Sequence, residues 1–201
     1  MKPIDNIKYV LPFLVFEDRN DFYYLQILQR KKENPQLGSN SRVIKNYYIN
    51  SADYLINHYD EIKGLCTMFN ARACIRLNKR NYEKVSYKEM VNIANSMCNK
   101  EFSFIKKSYD RAVGNGHSEH SGSSTWILDF DDAISKEDMS LIESIISNSN
   151  PMIKGVNKVV AMIPSRAGTH IITQPFDSRE FKNQFPSIDI HKDNPTNLYI
   201  P

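Results

Sequence analysis

The segment at residues 126–132, Trp-Ile-Leu-Asp-Phe-Asp-Asp, constrains the fold of this chain more than any other. Its apolar residues run directly into an Asp-x-Asp pair, which predicts a buried strand that ends in carboxylates. Because side chains alternate along a strand, Asp129 and Asp131 leave the same face. Two like charges on one face repel each other unless a cation lies between them, and such oxygen ligands suit Mg²⁺ or Mn²⁺. The competing interpretation is a strand end followed by an acidic helix cap without metal.

Composition excludes several classes of protein. The chain has 201 residues, enough for one substantial core, and its net charge of +3 permits a nucleic-acid partner without arguing for one. No apolar run is long enough to span a membrane, and the first residues lack the features of a signal peptide, so we expect a cytoplasmic protein without a membrane partner. Cys66, Cys74 and Cys98 show no Cys-x-x-Cys spacing. We therefore expect reduced thiols and no zinc site.

The pattern of the chain predicts an α/β (α+β) protein with one catalytic core over residues 1–201, built from an N-terminal α/β module (1–112) and a C-terminal module (125–201). In the N-terminal module we expect a strand or buried segment at 9–16, a helix at 22–32 capped by Asp21, a loop at 34–41, a helix at 53–63 capped by Ser51, a strand or hairpin arm at 65–77, and helices at 86–99 and 101–111. A loop rich in Gly, Ser and His, at 114–124, separates the two modules.

The C-terminal module is expected to follow the order β-α-β-β-α-β. Its predicted elements are a strand at 126–131, a helix opened by the capping pair Ser135 and Asp138, strands at 156–163 and 169–174, a helix at 178–184, and short strands at 187–190 and 197–200. The Asp pair then lies at the end of the first strand of this module.

Two further segments carry candidate site residues. Ser165-Arg166-Ala167-Gly168-Thr169-His170 lies between two predicted strands. Its small residues allow a ligand close to the backbone, and its amide, hydroxyl and guanidinium groups suit phosphate oxygens. A hairpin turn with a histidine at its rim is the simpler interpretation. Asp189 alternates with Ile188 and Ile190, so it faces away from the core, as either a third site carboxylate or a surface residue.

Taken in order, these segments resemble the archaeo-eukaryotic primase superfamily, which includes primase small subunits and primase-polymerases. The family pattern is a hydrophobic strand with Asp-x-Asp, then small-x-His, then hydrophobic-Asp. The matching segments here are Ile127-Leu128-Asp129-Phe130-Asp131, Gly168-Thr169-His170 and Ile188-Asp189. Arg166 replaces the first Gly of the family's Ser-Gly-x-Gly-x-His form, and the terminal Leu198-Tyr199-Ile200-Pro201 is similar to the strand and Pro that follow its third motif.

The resemblance implies an RRM-like catalytic module and a metal-dependent nucleotidyltransferase that makes or extends a primer from nucleoside triphosphates. Asp129, Asp131 and Asp189 would be the catalytic residues and would hold two Mg²⁺ or Mn²⁺ ions. Ser165, Arg166, Gly168 and His170 would bind the nucleotide. The expected macromolecular partners are a template, single-stranded DNA by preference, and a helicase or other replication protein. We further expect a basic face for nucleic acid, formed by Arg72 and Arg76 on one side of the strand predicted at 65–77 and continued by Arg80; the alternative is a solvated strand face.

One departure from the family pattern and two rival interpretations keep other functions open. The chain has no zinc module of the kind that many primases carry, and His117, Glu119 and His120 are a poor substitute because they lie in a polar loop. One alternative is a catalytically inactive relative that binds nucleic acid as a replication accessory. The other is a haloacid-dehalogenase-like phosphatase with Asp129 as nucleophile and Asp131 as acid and base. Ala133 stands where that family has Thr, and the remaining chain leaves little space for its later motifs.

Overall fold

The computed structural model describes residues 2–38, 40–114, 124–152 and 157–201. It shows a mixed α/β protein, as the sequence predicted, and both of its sheets are antiparallel. The strands of the described residues are β1 (Ile4–Asp5), β2 (Asp21–Gln29), β3 (Arg42–Ile49), β4 (Arg72–Ile75), β5 (Arg80–Asn81), β6 (Trp126–Phe130), β7 (Val159–Pro164), β8 (Thr169–Thr173), β9 (Asp189–His191) and β10 (Thr196–Ile200). The helices are α1 (Ile7–Val10), α2 (Ala52–Phe69), α3 (Tyr82–Cys98), α4 (Ser108–Gly114), α5 (Lys136–Asn148) and α6 (Ser178–Gln184), with 3-10 turns at Leu11–Phe13, Lys31–Glu33, Pro35–Leu37 and Phe102–Lys107. The loop that carries His117, Glu119 and His120 lies outside the described residues.

The first sheet has the strand order β1-β10-β4-β2-β3, and β5 pairs with the start of β2. Helix α2 covers one face of this sheet, where Leu55 and Ile62 pack against Leu25 and Ile27 in the largest core. All four of these side chains are fully buried. The C-terminal segment adds Ile127, Ile163 and Ile172 to the same core.

Strand β2 is the main error of the sequence prediction, which placed a helix at 22–32. Alternate residues of β2 enter two different cores: Tyr23, Leu25 and Ile27 face α2, whereas Phe22 and Tyr24 face a cluster with α4. Both faces are therefore apolar, and the resulting continuous run has no period that distinguishes a strand from a helix. The predicted cap, Asp21, instead accepts the backbone N–H groups of Glu17 and Asp18 and pairs with Lys79 at 2.9 Å.

Helix α2 begins where the sequence predicts but continues past the expected end at Gly64. The Ser51 hydroxyl accepts the N–H of Tyr54 at 3.0 Å, which is the predicted cap. The helix ends at Phe69 because Asn70 adopts a left-handed backbone with φ 45°, and its N–H closes the last turn. As a result, the expected strand or hairpin arm at 65–77 is reduced to β4, and residues 65–69 are helical.

Three other predicted boundaries in the N-terminal half also change. Residues 9–16 form α1 and a 3-10 turn in place of a strand. Helix α3 starts at Tyr82 under an Asn81 cap, whose side chain accepts the N–H of Glu83 at 3.1 Å, so Ser86 is inside the helix. The helix expected at 101–111 divides into the 3-10 turn Phe102–Lys107 and α4.

The C-terminal segment follows its predicted elements closely. Strand β6, helix α5 under the Ser135 cap, strands β7 and β8, helix α6 and strand β9 occur in that order. Residue 156, the first of a predicted strand, is outside the described ranges. The second sheet has the order β7-β8-β6-β9, and all its pairs are antiparallel. Helices α5 and α6 pack on one face of it around Ile142 and Phe181, which leaves the other face for the site.

The last strand joins the two segments. Strand β10 does not extend the second sheet but lies between β1 and β4 in the first, with Ile200 opposite Ile4 and Thr196 opposite Ile75. The end of the chain therefore completes the sheet that its beginning started. No helix in the described ranges combines the length and the apolar composition that a membrane span requires.

A buried charge network fixes the turn that leads into β10. The Asp193 carboxylate is 3.1 Å from Arg76 Nη1 and 2.5 Å from Arg80 Nη2, and all three side chains are largely buried. Asn78 donates to Asp193 Oδ1 at 3.2 Å and also accepts the N–H of Thr125 at 2.7 Å. One network therefore connects the turn after β4, the entry to β6 and the entry to β10.

We expect Asp193→Asn to lower the free energy of unfolding by about 3–5 kcal/mol, because it leaves two buried guanidinium groups without their shared counter-charge. Urea denaturation monitored by circular dichroism measures the change. Asp177→Asn is the matched control, since Asp177 pairs with an exposed Arg179 and Asn still caps α6. Equal stability of the two variants would show that the Asp193 network does not hold the fold.

Candidate active site

The site is built on a row of three side chains that crosses the second sheet. Asp129 on β6 is directly opposite His170 on β8 and directly opposite Asp189 on β9. Directly opposite residues of antiparallel strands project from the same face. The sheet therefore places an imidazole and two carboxylates side by side, and all three belong to the residues singled out by sequence.

His170 is held between two partners. Its Nε2 lies 3.3 Å from Asp129 Oδ1, and its Nδ1 lies 2.8 Å from the hydroxyl of Thr196, which is fully buried at the start of β10. With Nε2 donating to the carboxylate, a neutral ring accepts the Thr196 hydroxyl proton at Nδ1, and this arrangement fixes the tautomer and the ring orientation. The hydrogen bond from His170 lowers the pKa of Asp129, against partial burial, which raises it.

Asp131 follows β6, and a close backbone approach fixes its position. A Cβ atom on Gly168 would lie 2.0 Å from the Phe130 carbonyl oxygen and 2.8 Å from the Asp131 carbonyl carbon, so only glycine fits there. Ser165 closes the same turn: its hydroxyl accepts the Gly168 N–H at 3.1 Å, and its own N–H donates to the Gly168 carbonyl at 3.0 Å. The β7–β8 turn is thereby pressed against the end of the Asp-x-Asp strand.

Asp129 and Asp189 form a like-charged cross-strand pair. Such a pair destabilises a sheet unless a cation is shared between the carboxylates, and the all-oxygen donor set fits a hard divalent ion. Asp131, two residues beyond Asp129, supplies a third carboxylate at the same end of β6. As positioned, no three His, Cys, Asp or Glu groups among the described residues surround one point. The chemistry of the donors fits Mg²⁺ or Mn²⁺, and Asp129, Asp131 and Asp189 are the residues that would hold it.

A pocket of about 450 Å³ opens beside this row, between the two sheets. Asp129, Asp131, Ser165, Arg166 and His170 line it, so the structure brings together most of the predicted site. Gly168 and Asp189 are not part of the pocket wall, although Asp189 lies next to Asp129 in the sheet. The remaining lining residues are Leu28, Arg30, Lys32, Glu33, Arg72, Cys74, Ile127, Ala167, His191, Asn194, Pro195 and Asn197.

The wall opposite the carboxylates is basic, with one acid at its centre. Glu33 Oε1 pairs with Arg72 and lies 3.5 Å from Arg166 Nη1, so one carboxylate bridges the two segments of the chain. Arg30 and Lys32 line the same wall, and neither forms a salt bridge with any residue in the described ranges. The cations exceed the acid by three charges, which makes this wall suitable for an anionic group.

The expected basic face of Arg72, Arg76 and Arg80 is corrected by the structure. These arginines are not displayed on a solvated strand, since Arg72 and Arg80 are buried and Arg76 is mostly so. Arg76 and Arg80 neutralise Asp193, and only Arg72 reaches the pocket. Alternation along the strand was interpreted as a basic face because the acidic partners, Glu33 and Asp193, are far away in sequence.

Sequence reasoning missed several pocket residues. His191 was detectable, because it is two residues after Asp189 on β9 and so shares its face; it lies opposite Ile127 on β6. No local sequence pattern indicated that Arg30, Lys32 and Glu33 line the pocket. Their position depends on β2 being a strand that ends at the pocket. Comparison of the chain with protein-family models, with curated proteins and with solved structures found no match.

The Asp129–His170 pair predicts a measurable titration. In metal-free protein, the pKa of Asp129 should lie below the ordinary aspartate value of about 3.9, because the hydrogen bond from His170 favours the ionised carboxylate. The chemical shift of the Asp129 carboxyl carbon reports this titration. Since the folded-state pKa is depressed, the stabilisation from this pair is present above the unfolded-state pKa and is lost as the pH falls through the folded-state pKa. Carbon-13 NMR in a chelating buffer measures the midpoint. His170→Gln should move it upward, and an unchanged midpoint would contradict the pairing.

Glu33→Gln should strengthen the binding of inorganic pyrophosphate by about tenfold, because it removes the one carboxylate that competes with an anion for Arg166. Isothermal titration calorimetry measures the dissociation constant. Glu143→Gln is the control, since it makes the same charge change on the exposed side of α5, outside the pocket. Equal or weaker binding by Glu33→Gln would show that Glu33 does not occupy the anion position.

Proposed function

We propose that this protein is a metal-dependent nucleotidyltransferase of the primase-polymerase type, which makes or extends a nucleic-acid primer from nucleoside triphosphates on a template. The observation that carries the proposal is the row His170–Asp129–Asp189 at the mouth of a pocket with a basic far wall. This geometry pairs a carboxylate cluster with an anion-binding wall. A phosphoryl compound whose charge is partly neutralised by divalent ions meets both requirements.

The topology of the second sheet supports the same proposal. Numbered within the segment, the strands lie in the order 2-3-1-4, with a helix after the first strand and another after the third. This is the arrangement of the split β-α-β fold, to which RRM-like modules belong. We therefore assign the RRM-like catalytic module of the primase resemblance to residues 125–191, with the Asp pair at the end of its first strand.

The carboxylates, cations and histidine of the site have separate tasks in this proposal. Asp129, Asp131 and Asp189 hold the divalent ions, which when bound activate a primer hydroxyl and stabilise charge at the α-phosphate. Arg166, Arg30 and Lys32 bind the phosphate oxygens, and Ser165 orders the turn that carries Arg166. His170, oriented by Thr196, fixes Asp129 and presents its ring to the pocket. Template nucleic acid and a helicase or other replication protein remain the proposed partners, and the cytoplasm the proposed compartment.

Template-dependent incorporation of labelled nucleotides, with Mg²⁺ or Mn²⁺ and with or without a primer, tests the proposal. Wild-type protein should extend product and release pyrophosphate. Asp129→Asn and Asp189→Asn should each lower the rate by at least about 100-fold, since each removes a charge that the ions require. Asp132→Asn is the matched control, because Asp132 is an exposed neighbour of the pair that does not line the pocket.

The outcomes separate the competing functions. Incorporation that survives in Asp129→Asn would contradict the assigned site. Phosphate release from simple esters, without incorporation, would favour the phosphatase. Template binding without incorporation, with either ion and on primed and unprimed templates, would favour the inactive accessory protein.

A further inference from the structure

Helix α3 carries an apolar stripe that faces solvent. The members of the stripe recur at spacings of three and four residues, so they lie on one face of the helix. The stripe consists of Tyr87, Met90, Val91, Ala94, Met97 and Cys98. All six residues are exposed, and the four larger ones, Tyr87, Met90, Val91 and Met97, keep between 53% and 66% of their surface in contact with solvent.

The inner face of α3 buries little of the helix. Among its 17 residues, all of which the structure describes, only Val85 and Ser96 are buried. On the same side, Glu89 accepts a hydrogen bond from the Ser108 hydroxyl at 2.9 Å. A surface helix of a monomer normally turns its apolar stripe toward the core, so the outward stripe of α3 marks a surface for another protein.

The stripe is large enough for a stable interface. Its exposed fractions amount to about 500 Å² of mainly apolar surface. A standard interface covers about 800 Å² on each partner, of which about 60% is apolar, or roughly 500 Å². The stripe therefore supplies the apolar part of such an interface, and the polar residues beside it supply the rim.

The order of residues along the stripe fits a second copy of the same helix. When two α3 helices lie antiparallel about a two-fold axis between residues 92 and 93, Tyr87 is opposite Cys98 of the second copy, and Val91 is opposite its Ala94. Each layer then pairs a larger side chain with a smaller one, which allows close packing. The two methionines of the stripe flank these layers on one side, where an unbranched thioether fills irregular gaps.

The charges beside the stripe also fit the antiparallel arrangement. Lys84 and Lys88 lie on its other side near the start of α3, and this side continues through Asn92 and Asn95. Glu101, just after the helix, lines a small cavity with these two asparagines and so belongs to the same side. A two-fold axis brings this side of one helix against the same side of the other in reverse order. The basic start of one α3 therefore meets the acid beyond the end of the other, and the two helix dipoles are antiparallel.

We propose that two copies of this chain associate through the α3 stripe as an antiparallel, two-fold dimer. Both copies contribute the same six side chains, so the contact closes and does not propagate into a filament. None of these six residues lines the pocket between the sheets, so the dimer contact occupies neither pocket. The proposal therefore does not depend on the proposed function.

Sedimentation equilibrium over a range of protein concentrations tests the association. Wild-type protein should approach twice the mass of one chain. Met90→Glu/Met97→Glu should raise the dimer dissociation constant at least about 100-fold, since each substitution places a charge in the apolar interface. Ile56→Glu/Met68→Glu is the matched control, because it makes the same charge change at two exposed apolar residues of α2.

Circular dichroism should show the same helix content in all three proteins, since the four substituted side chains are exposed. Wild-type protein that stays monomeric at every concentration would overturn the proposal and would leave the stripe to a different protein or to another segment of this chain. Equal effects of the two double variants on the dissociation constant would also overturn it.

The exposed thiol of Cys98 allows the register to be mapped by disulfide formation. In the antiparallel dimer the two Cys98 residues lie about 16 Å apart along the helix axis, so copper–phenanthroline should not link wild-type chains. Tyr87→Cys places a thiol opposite Cys98 of the second copy and should give a covalent dimer on a non-reducing gel. Cys66 and Cys74 are buried and should take no part.

Tyr87→Cys/Cys98→Ser is the control for this experiment, because its two introduced thiols are as far apart as the two Cys98 residues, and it should remain unlinked. A link between wild-type chains through Cys98 would indicate a parallel pair and would contradict the proposed register. Absence of the link in Tyr87→Cys, at concentrations where that variant sediments as a dimer, would place the dimer contact elsewhere.

Discussion

The buried contact of Asp193 with Arg76 and Arg80 is the constraint on which the rest of the structure depends. It holds the turn before β10 against the turn after β4, and β10 then enters the first sheet between β1 and β4. Thr196, the first residue of β10, is thereby placed against His170. A charge cluster that does not itself line the pocket therefore helps to determine where the site histidine is fixed. Burial of the ions is tolerable because the carboxylate serves both guanidinium groups and an amide.

The site itself arises from strand pairing and not from a flexible loop. Three antiparallel neighbours bring His170, Asp129 and Asp189 to adjacent positions, and a backbone contact that only Gly168 allows sets the end of β6. Side chains on paired strands are positioned more rigidly than side chains on loops. Repulsion between the opposed carboxylates of Asp129 and Asp189 destabilises the sheet when no ligand is bound, and a cation between them would remove that repulsion. The register of the sheet therefore sets two carboxylates side by side, the arrangement that the proposed divalent ion would stabilise.

Local sequence signals predicted the C-terminal segment well, and long-range pairings explain where prediction failed. The Ser135 cap, the Asp-x-Asp strand end and the alternation around Asp189 are local, so the elements and the core of the site followed from them. Strand β2 was predicted as a helix because both of its faces are buried. The pocket residues that follow it, Arg30, Lys32 and Glu33, were therefore not predicted. The basic face was misinterpreted because Arg76 and Arg80 meet Asp193 across 117 and 113 residues. No local pattern encodes a partner at that separation.

The electrostatics of the pocket favour a particular kind of ligand over a simple anion. One wall has three carboxylates at or beside its edge, and the other has Arg30, Lys32, Arg72 and Arg166 around Glu33. A free phosphate would be attracted by the basic wall and repelled by the acidic one. Under the proposed function, a phosphate chain that carries a divalent ion would satisfy both walls, because the carboxylates would hold the ion and the basic wall the phosphate oxygens.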